Sequence, residues 1–284
     1  MSALPVLLDG IGFGEGPRWH DGRLWFSDFH QHSVSSVGAD GARRVELEID
    51  DSPSGLGWLP DGRLLVVAME SRRVLRVEAD GTVVTHADLA SIATGNCNDM
   101  VVAADGTAYV GNFGFDFASR RRFRRRRRRP ARLARITPGG DVSVAADRLE
   151  FPNGTVITPD GRRLIVGETM GRRVTAFTIT DDGSLRERRV WADLGDVMPD
   201  GCTLDAEEAI WFADAASTMV VRVREGGEVV DRVDAGQRVF ACALGGDDGR
   251  TLYVVCADGT GGGGDSPTGT IRTHRVDVPH AGLP

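Results

Sequence analysis

A short segment recurs six times along the 284-residue chain and limits the possible fold more than any other feature. Each copy has an apolar stretch, an acidic turn and a second apolar stretch, as in Leu-Pro-Asp-Gly-Arg-Leu-Leu-Val from Leu59. The turns follow at intervals of 40, 44, 55, 47 and 41 residues, beginning at Asp21, Asp61, Asp105, Asp160, Glu207 and Asp248. A repeat near 40 residues made of strands and turns is typical of a β-propeller.

Every repeat but the last contains a second turn that is closed by glycine, at Gly41, Gly81, Gly140, Gly183 and Gly227. Glycine suits such turns because it adopts positive φ without strain. The two turns therefore predict four antiparallel strands in each repeat. The sixth repeat ends early, so we expect residues 4–8 to supply its outer strand and close the ring. The predicted fold is an all-β, six-bladed propeller that occupies residues 1–284 as one domain.

Composition excludes several classes of function. No apolar run approaches the ~18 residues of a membrane span, and no secretory leader pattern is present, so we expect a cytoplasmic protein without membrane partners. All 34 basic residues are arginine, which excludes a Schiff-base lysine and a Walker A loop. The four cysteines form no C-x-x-C pair, and no G-x-S-x-G elbow occurs.

An arginine tract interrupts the third repeat. Nine arginines lie within Arg120–Arg129, and we predict an inserted loop over residues 119–130. Without them the formal charge would fall from −7 to −16, so the body of the protein is acidic. One short basic loop on an acidic body lacks the broad basic face of a nucleic-acid binder. We therefore favour a self-repelling surface loop over a nucleic-acid contact.

Counting back six to eight residues from each turn gives one equivalent position per repeat, where the strand nearest the axis would begin. These six axial positions hold Glu15, Ser54, Asn98, Asn153, Asp200 and Phe240. Rotational symmetry would bring them together at the axis. Single Asn and Asp residues often cap turns, but oxygen ligands at four of six equivalent positions favour a metal site. Glu15, Asn98, Asn153 and Asp200 suit one divalent cation, Ca²⁺ first, with Zn²⁺, Mg²⁺ or Mn²⁺ as alternatives.

The motifs around these positions resemble those of the SMP-30/gluconolactonase family. They are Gly-Glu-Gly-Pro-Arg-Trp at 14–19, Cys-Asn-Asp at 97–99, Phe-Pro-Asn-Gly-Thr at 151–155 and Pro-Asp-Gly at 199–201. The resemblance covers almost the whole chain except the arginine tract. It implies a six-bladed propeller with one catalytic divalent cation in the central channel and a lactone as substrate.

The resemblance also implies roles for single residues. The family's metal ligands correspond to Glu15, Asn153 and Asp200, and Asn98 corresponds to a residue that binds metal or substrate. The sugar-lactonase branch has an arginine where this chain has Asn96, which weakens the assignment of a sugar lactone. Further candidates for contacts with substrate are Asn96, Glu70, Asn112 and Phe240.

The predicted function is a metal-dependent lactonase or esterase acting on a small molecule. A cation would polarise the lactone carbonyl and activate a water molecule. Asp200 is the candidate base, with a metal-bound hydroxide as the alternative, and Glu15 would stabilise charge. One alternative is a metal-dependent phosphotriesterase that uses the same cation. Another is a non-catalytic binding propeller whose cation is structural, since propellers carry many functions.

Overall fold

The computed structural model describes residues 3–116, 130–259 and 267–281, which form 24 β-strands in six sheets of four. Neighbouring strands within each sheet are antiparallel, and neighbouring innermost strands contact one another around a closed ring. The prediction of six four-stranded blades is therefore confirmed. The tract Arg120–Arg129 lies outside the described residues.

The blades follow the chain in order, and the strands of each are given from the axis outward. Blade 1 has β2 (Gly14–His20), β3 (Arg23–Asp28), β4 (Ser33–Val37) and β5 (Arg43–Glu48). Blade 2 has β6 (Pro53–Trp58), β7 (Leu64–Ala68), β8 (Arg73–Val77) and β9 (Val83–Asp88). Blade 3 has β10 (Cys97–Val102), β11 (Ala108–Asn112), β12 (Ala131–Ile136) and β13 (Val142–Leu149).

The second half continues this pattern. Blade 4 has β14 (Pro152–Ile157), β15 (Arg163–Glu168), β16 (Arg173–Ile179) and β17 (Leu185–Asp193). Blade 5 has β18 (Pro199–Leu204), β19 (Ile210–Asp214), β20 (Met219–Val223) and β21 (Val229–Asp234). Blade 6 has β22 (Val239–Gly245), β23 (Thr251–Cys256), β24 (Gly269–Arg275) and, from the other end of the chain, β1 (Val6–Ile11).

The N-terminal strand closes the ring as predicted, although two to three residues further along. β1 pairs antiparallel with β24, with Val6 opposite Arg272 and Ile11 opposite Gly269. Pro5 has no N–H for the ladder and contributes only its carbonyl, which accepts a hydrogen bond from the N–H of Thr273 at 3.0 Å. This pairing removes the free edge that β24 would otherwise present.

The hydrophobic core is divided among the six interfaces between neighbouring blades. Strand alternation explains this division: on β15, Leu164 packs toward blade 3, whereas Ile165 packs toward blade 5. Both faces of each blade are thus buried, which accounts for continuous apolar runs such as Leu64–Ala68.

Glycines bring the innermost strands close together at the axis. At four axial positions the next residue is Gly16, Gly55, Gly154 or Gly201. A Cβ at Gly154 would lie 2.4 Å from the carbonyl oxygen of Asp200 in the next blade, and one at Gly55 would lie 2.3 Å from the amide nitrogen of Met100. These glycines allow a close approach of two backbones, which a side chain would prevent.

The part of the chain that the structure describes contains no helix long and apolar enough to cross a membrane.

Candidate functional site

The six axial residues occupy the same structural position. Each is the second residue of the innermost strand of its blade. Five of them are buried, whereas Glu15 is partly exposed because its side chain opens onto a cavity at the axis. The cavity has a volume of about 450 Å³, and its axial lining residues are Glu15, Asn153, Asp200 and Phe240. Asn98 is not among the described lining residues; its Oδ1 lies 3.5 Å from Ser54 Oγ.

Two buried oxygen atoms of this set have no hydrogen-bond partner, namely Asn153 Oδ1 and Asp200 Oδ1. The amide orientation of Asn153 is fixed because its Nδ2 donates to Thr169 Oγ1 at 3.2 Å. That hydroxyl in turn donates to the carbonyl of Pro199 at 2.7 Å. Leaving buried acceptors unpaired costs free energy, so their presence at the axis fits a site that binds a cation.

The charges of the set point the same way. Burial, together with repulsion from Asp200 and Asp99, raises the pKa of Glu15 well above its ordinary value. Burial also raises the pKa of Asp200, to about 8, although the nearby amide of Asn153 opposes the shift. A positive charge nearby would stabilise the ionised form of both carboxyl groups.

The donor set consists of two carboxylates and two amides. Within residues 3–116, 130–259 and 267–281, no group of three or more His, Cys, Asp or Glu residues is arranged to hold a metal ion. A hard cation such as Ca²⁺ accepts amide and carboxylate oxygens and completes its shell with water, so Glu15, Asn153 and Asp200 fit it. The amide of Asn98 would present its oxygen after rotation, since Asn98 Nδ2 has no partner.

A buried ion pair lies next to the site. Arg18 NH2 is 2.7 Å from Asp99 Oδ1 and 2.7 Å from the carbonyl oxygen of Met100. Arg18 belongs to β2 of blade 1 and Asp99 to β10 of blade 3, so the pair joins two blades that are not neighbours in the ring. Arg18 also lowers the pKa of Glu15, but by less than burial, Asp200 and Asp99 raise it.

The positions two residues before the axial ones supply much of the cavity wall. They hold Phe13, Phe151, Met198 and Arg238 in blades 1, 4, 5 and 6, and all four line the cavity. Sequence reasoning used this position only at Asn96 and missed the others. The repeats could have indicated these residues, because side chains two residues apart in an extended chain point to the same side as each other.

Residues just after the second strands complete the wall. Phe29, Phe113, Thr169 and Ala215 each follow the last residue of the second strand in their blades, and all line the cavity. Three of these strands end in an acidic residue, and two of these residues accept hydrogen bonds from the cavity wall. Asp28 Oδ1 accepts the N–H of Phe13 at 3.0 Å, and Asp214 Oδ1 accepts that of Met198 at 3.0 Å.

Besides Asn98, three residues predicted to contact substrate are not among the described lining residues. The amide of Asn112 is engaged in its own blade, where Nδ2 donates to the carbonyl of Arg132 at 2.6 Å and Oδ1 accepts the N–H of Gly114 at 3.1 Å. Asn96 Nδ2 donates to the carbonyl of Met69 at 3.4 Å. Glu70 Oε1 accepts from Ser52 Oγ at 3.3 Å. Phe240, in contrast, lies in the cavity wall.

Comparison with known proteins gives full-length relatives. The pentonolactonase XacC of Haloferax volcanii is 30% identical over 297 residues, covering 100% of this chain and 97% of that protein. Among solved structures, a gluconolactonase of Xanthomonas campestris, XC5397, superposes with a TM-score of 0.75 at 24% identity, covering 98% of this chain and 89% of that one. Regucalcin of Agrobacterium tumefaciens, described as a calcium-binding protein, gives 0.78 at 20% identity over 99% and 98%.

The family model described as the SMP-30/gluconolactonase/LRE-like region matches residues 13–258, which include all six axial positions. The chain therefore belongs to the SMP-30/gluconolactonase/LRE-like family.

Proposed function

We propose that this protein is a divalent-cation-dependent lactonase whose active site is the axial cavity. The observation that carries the proposal is the pair of unpartnered buried acceptors, Asn153 Oδ1 and Asp200 Oδ1. Together with Glu15, these two residues form the polar part of the cavity at the axis, which we call its floor. The full-length relative named as a pentonolactonase supports a lactone as the substrate.

Glu15, Asn153 and Asp200 would hold the cation, with Asn98 as a fourth ligand. When bound, a divalent cation polarises a carbonyl oxygen and lowers the pKa of a coordinated water. The two amides add no charge, so the set carries two formal negative charges. With a divalent cation bound, the net charge at the site would be close to zero. The negative charge that develops on the lactone oxygen during attack would then meet no net repulsion there.

The chain's own residues would orient the groups that react. Asp200 is the carboxylate best placed to accept the proton of an attacking water, because one of its oxygens has no other partner. Thr169 orients Asn153 through the hydrogen bond to its Nδ2, so that Asn153 Oδ1 faces away from Thr169. The apolar walls exclude bulk water and so strengthen electrostatic interactions on the floor.

The test is an assay after complete chelation, with Ca²⁺, Zn²⁺, Mg²⁺ or Mn²⁺ added back one at a time. The panel contains unsubstituted, alkyl and sugar lactones together with phosphotriesters. We expect no lactone opening in chelator and a return of activity with at least one cation. Turnover of phosphotriesters alone would favour a phosphotriesterase, and no turnover of either class would favour a binding propeller.

A further inference from the structure

The walls of the axial cavity are aromatic, and we propose that they select a lactone with an alkyl or aryl substituent over a polyhydroxylated sugar lactone. The inference rests on the proposed lactonase function and adds the class of substrate to it. The six rings concerned, which we call the aromatic band, are Phe13, Phe29, Phe113, Phe115, Phe151 and Phe240.

The band consists of two groups of three rings. In the first, the centroid of Phe13 lies 4.5 Å from that of Phe29 and 4.6 Å from that of Phe240. These rings come from blades 1 and 6. They are 2–6% exposed, so this side of the wall is tightly packed.

The second group comes from blades 3 and 4. The Phe113 centroid lies 5.6 Å from that of Phe115 and 4.7 Å from that of Phe151. In a ring of six, blades 3 and 4 stand opposite blades 6 and 1, so the groups face each other across the axis, and Phe113 also packs against the first group. The second group is only half-buried and therefore presents apolar surface to the cavity.

Polar groups among the described lining residues are confined to the floor and to one point of the rim. The floor has Glu15, Asn153 and Asp200, with Thr169 beside them. At the rim, the guanidinium of Arg238 lies 5.4 Å from the centroid of Phe240 and donates to the carbonyl of Ala215 at 2.8 Å. Phenylalanine offers no conventional hydrogen bond, so substrate hydroxyls against these rings would lose their bonds to water. An alkyl group placed there would gain from burial.

The backbone at Phe151 is strained in a way that favours a role for this ring. Its φ is +63°, a conformation that is an outlier for a bulky side chain. The carbonyl of Phe151 accepts the N–H of Thr169 at 3.0 Å, which anchors the strained residue beside the floor. Glycine would adopt this φ without cost. A phenylalanine at this position therefore destabilises the backbone, but it places an aromatic ring in the cavity wall.

The first test compares γ-butyrolactone, γ-valerolactone, γ-heptalactone and γ-nonalactone with glucono-δ-lactone, using the protein loaded with the cation that best restores activity. Each buried methylene raises affinity by up to about fourfold. We expect kcat/KM to rise along the alkyl series by roughly 100-fold in total, and to be lowest for the sugar lactone.

The variants Phe151→Gly and Phe115→Ser test whether the rings cause this preference. We expect each to lower the ratio of kcat/KM for γ-nonalactone to that for γ-butyrolactone by about tenfold or more. Phe151→Gly also relieves the positive φ, so its melting temperature should change little. The control is Val190→Ser, which removes apolar surface from a side chain that is 60% exposed on the outer strand β17. It should leave the ratio unchanged.

A binding measurement separates this inference from the proposed function. 3-Pentylcyclopentanone has the ring and the side chain of γ-nonalactone but no ester to open. By calorimetry we expect it to bind at least tenfold more tightly than cyclopentanone, and Phe151→Gly to abolish that difference. Sugar-lactone turnover equal to that of γ-nonalactone would overturn the inference and leave the lactonase proposal standing. If no lactone is opened, the proposed function fails, and the ketone pair alone decides whether the cavity selects apolar ligands.

Discussion

Asp200 is buried with one oxygen lacking a partner, so its charge is costly to the fold unless a cation is bound. We predict that Asp200→Asn lowers kcat/KM at least ~1,000-fold, because the change removes a ligand and the candidate base together. The melting temperature in chelator should be equal or higher, since an isosteric neutral group replaces a strained charge. Activity assays and thermal melts of the same preparations check both effects.

The matched control is Asp80→Asn, in an exposed turn where Asp80 Oδ1 accepts the N–H of Thr82 at 2.9 Å. Its kcat/KM should stay within about twofold of the parent, because Asp80 lies in the turn between β8 and β9 and is not among the residues that line the cavity. An Asp200→Asn protein within tenfold of the parent would remove Asp200 from the mechanism.

The glycines between innermost strands link local sequence to the geometry of the floor. The Asn-Gly and Asp-Gly pairs at 153–154 and 200–201 read as turn signals, but the structure places both pairs inside strands. We predict that Gly154→Ala destabilises the fold by about 1–3 kcal/mol, because the added Cβ would collide with the main chain of Asp200 and Cys202. Denaturant melts measure the change.

Gly139→Ala is the control for this effect. A Cβ at Gly139 would find its nearest neighbour, Thr137 Oγ1, at 3.8 Å, and its backbone has no positive φ. We expect a change within ~0.5 kcal/mol. Equal stabilities for Gly154→Ala and Gly139→Ala would mean that the innermost strands have more freedom than the close contact implies.

The ion pair between β2 and β10 should behave as a buried pair does. Arg18→Met leaves Asp99 buried without its partner, and we predict a loss of about 3–5 kcal/mol. In the double variant Arg18→Met/Asp99→Asn the unpaired charge is absent, so most of the loss should be recovered. Urea melts of the single and double variants check this. Strictly additive losses would show that the two side chains do not stabilise each other.

Several elements of the site could be read from the repeat alone. Counting back from the acidic turn located the axial residue in all six blades, including Phe240, which lies furthest from its turn. The count works because each axial residue is the second residue of its innermost strand. Asn96, Glu70 and Asn112 were chosen from a family position or from strand ends. Whether such residues reach the cavity depends on hydrogen bonds made within the blade, as at Asn112.

The aromatic band shows what the repeat could not supply. Phe151 lines the cavity at a φ of +63°, and no period in the sequence indicates that a phenylalanine would adopt this conformation. The Arg18–Asp99 pair joins residues 81 positions apart in different blades. Such contacts depend on how the ring closes in three dimensions, whereas a repeat specifies only what is equivalent from blade to blade.

At the scale of the whole molecule, the ring brings two carboxylates from blades 1 and 5 to one cavity, so a cation bound there should stabilise the entire fold. Binding to the folded state alone contributes about 2.7 kcal/mol at a hundredfold excess over Kd. We predict that chelation lowers the melting temperature at pH 7.5 and that the active cation restores it. Glu15→Gln should shrink this shift, because it deletes half of the formal charge.

The same shift should depend on pH, with a sign that follows from the raised pKa values. Without a cation, the folded protein holds protons on Glu15 and Asp200 that the unfolded chain releases near pH 4. Its stability in chelator should therefore fall as pH rises from about 4 toward the raised value of about 8 for Asp200. A cation competes with those protons, so the melting-temperature shift on adding it should be larger at pH 8 than at pH 5. Equal melting temperatures with and without cation at pH 8 would contradict a metal site at the axis and leave a cation-free binding propeller as the better account.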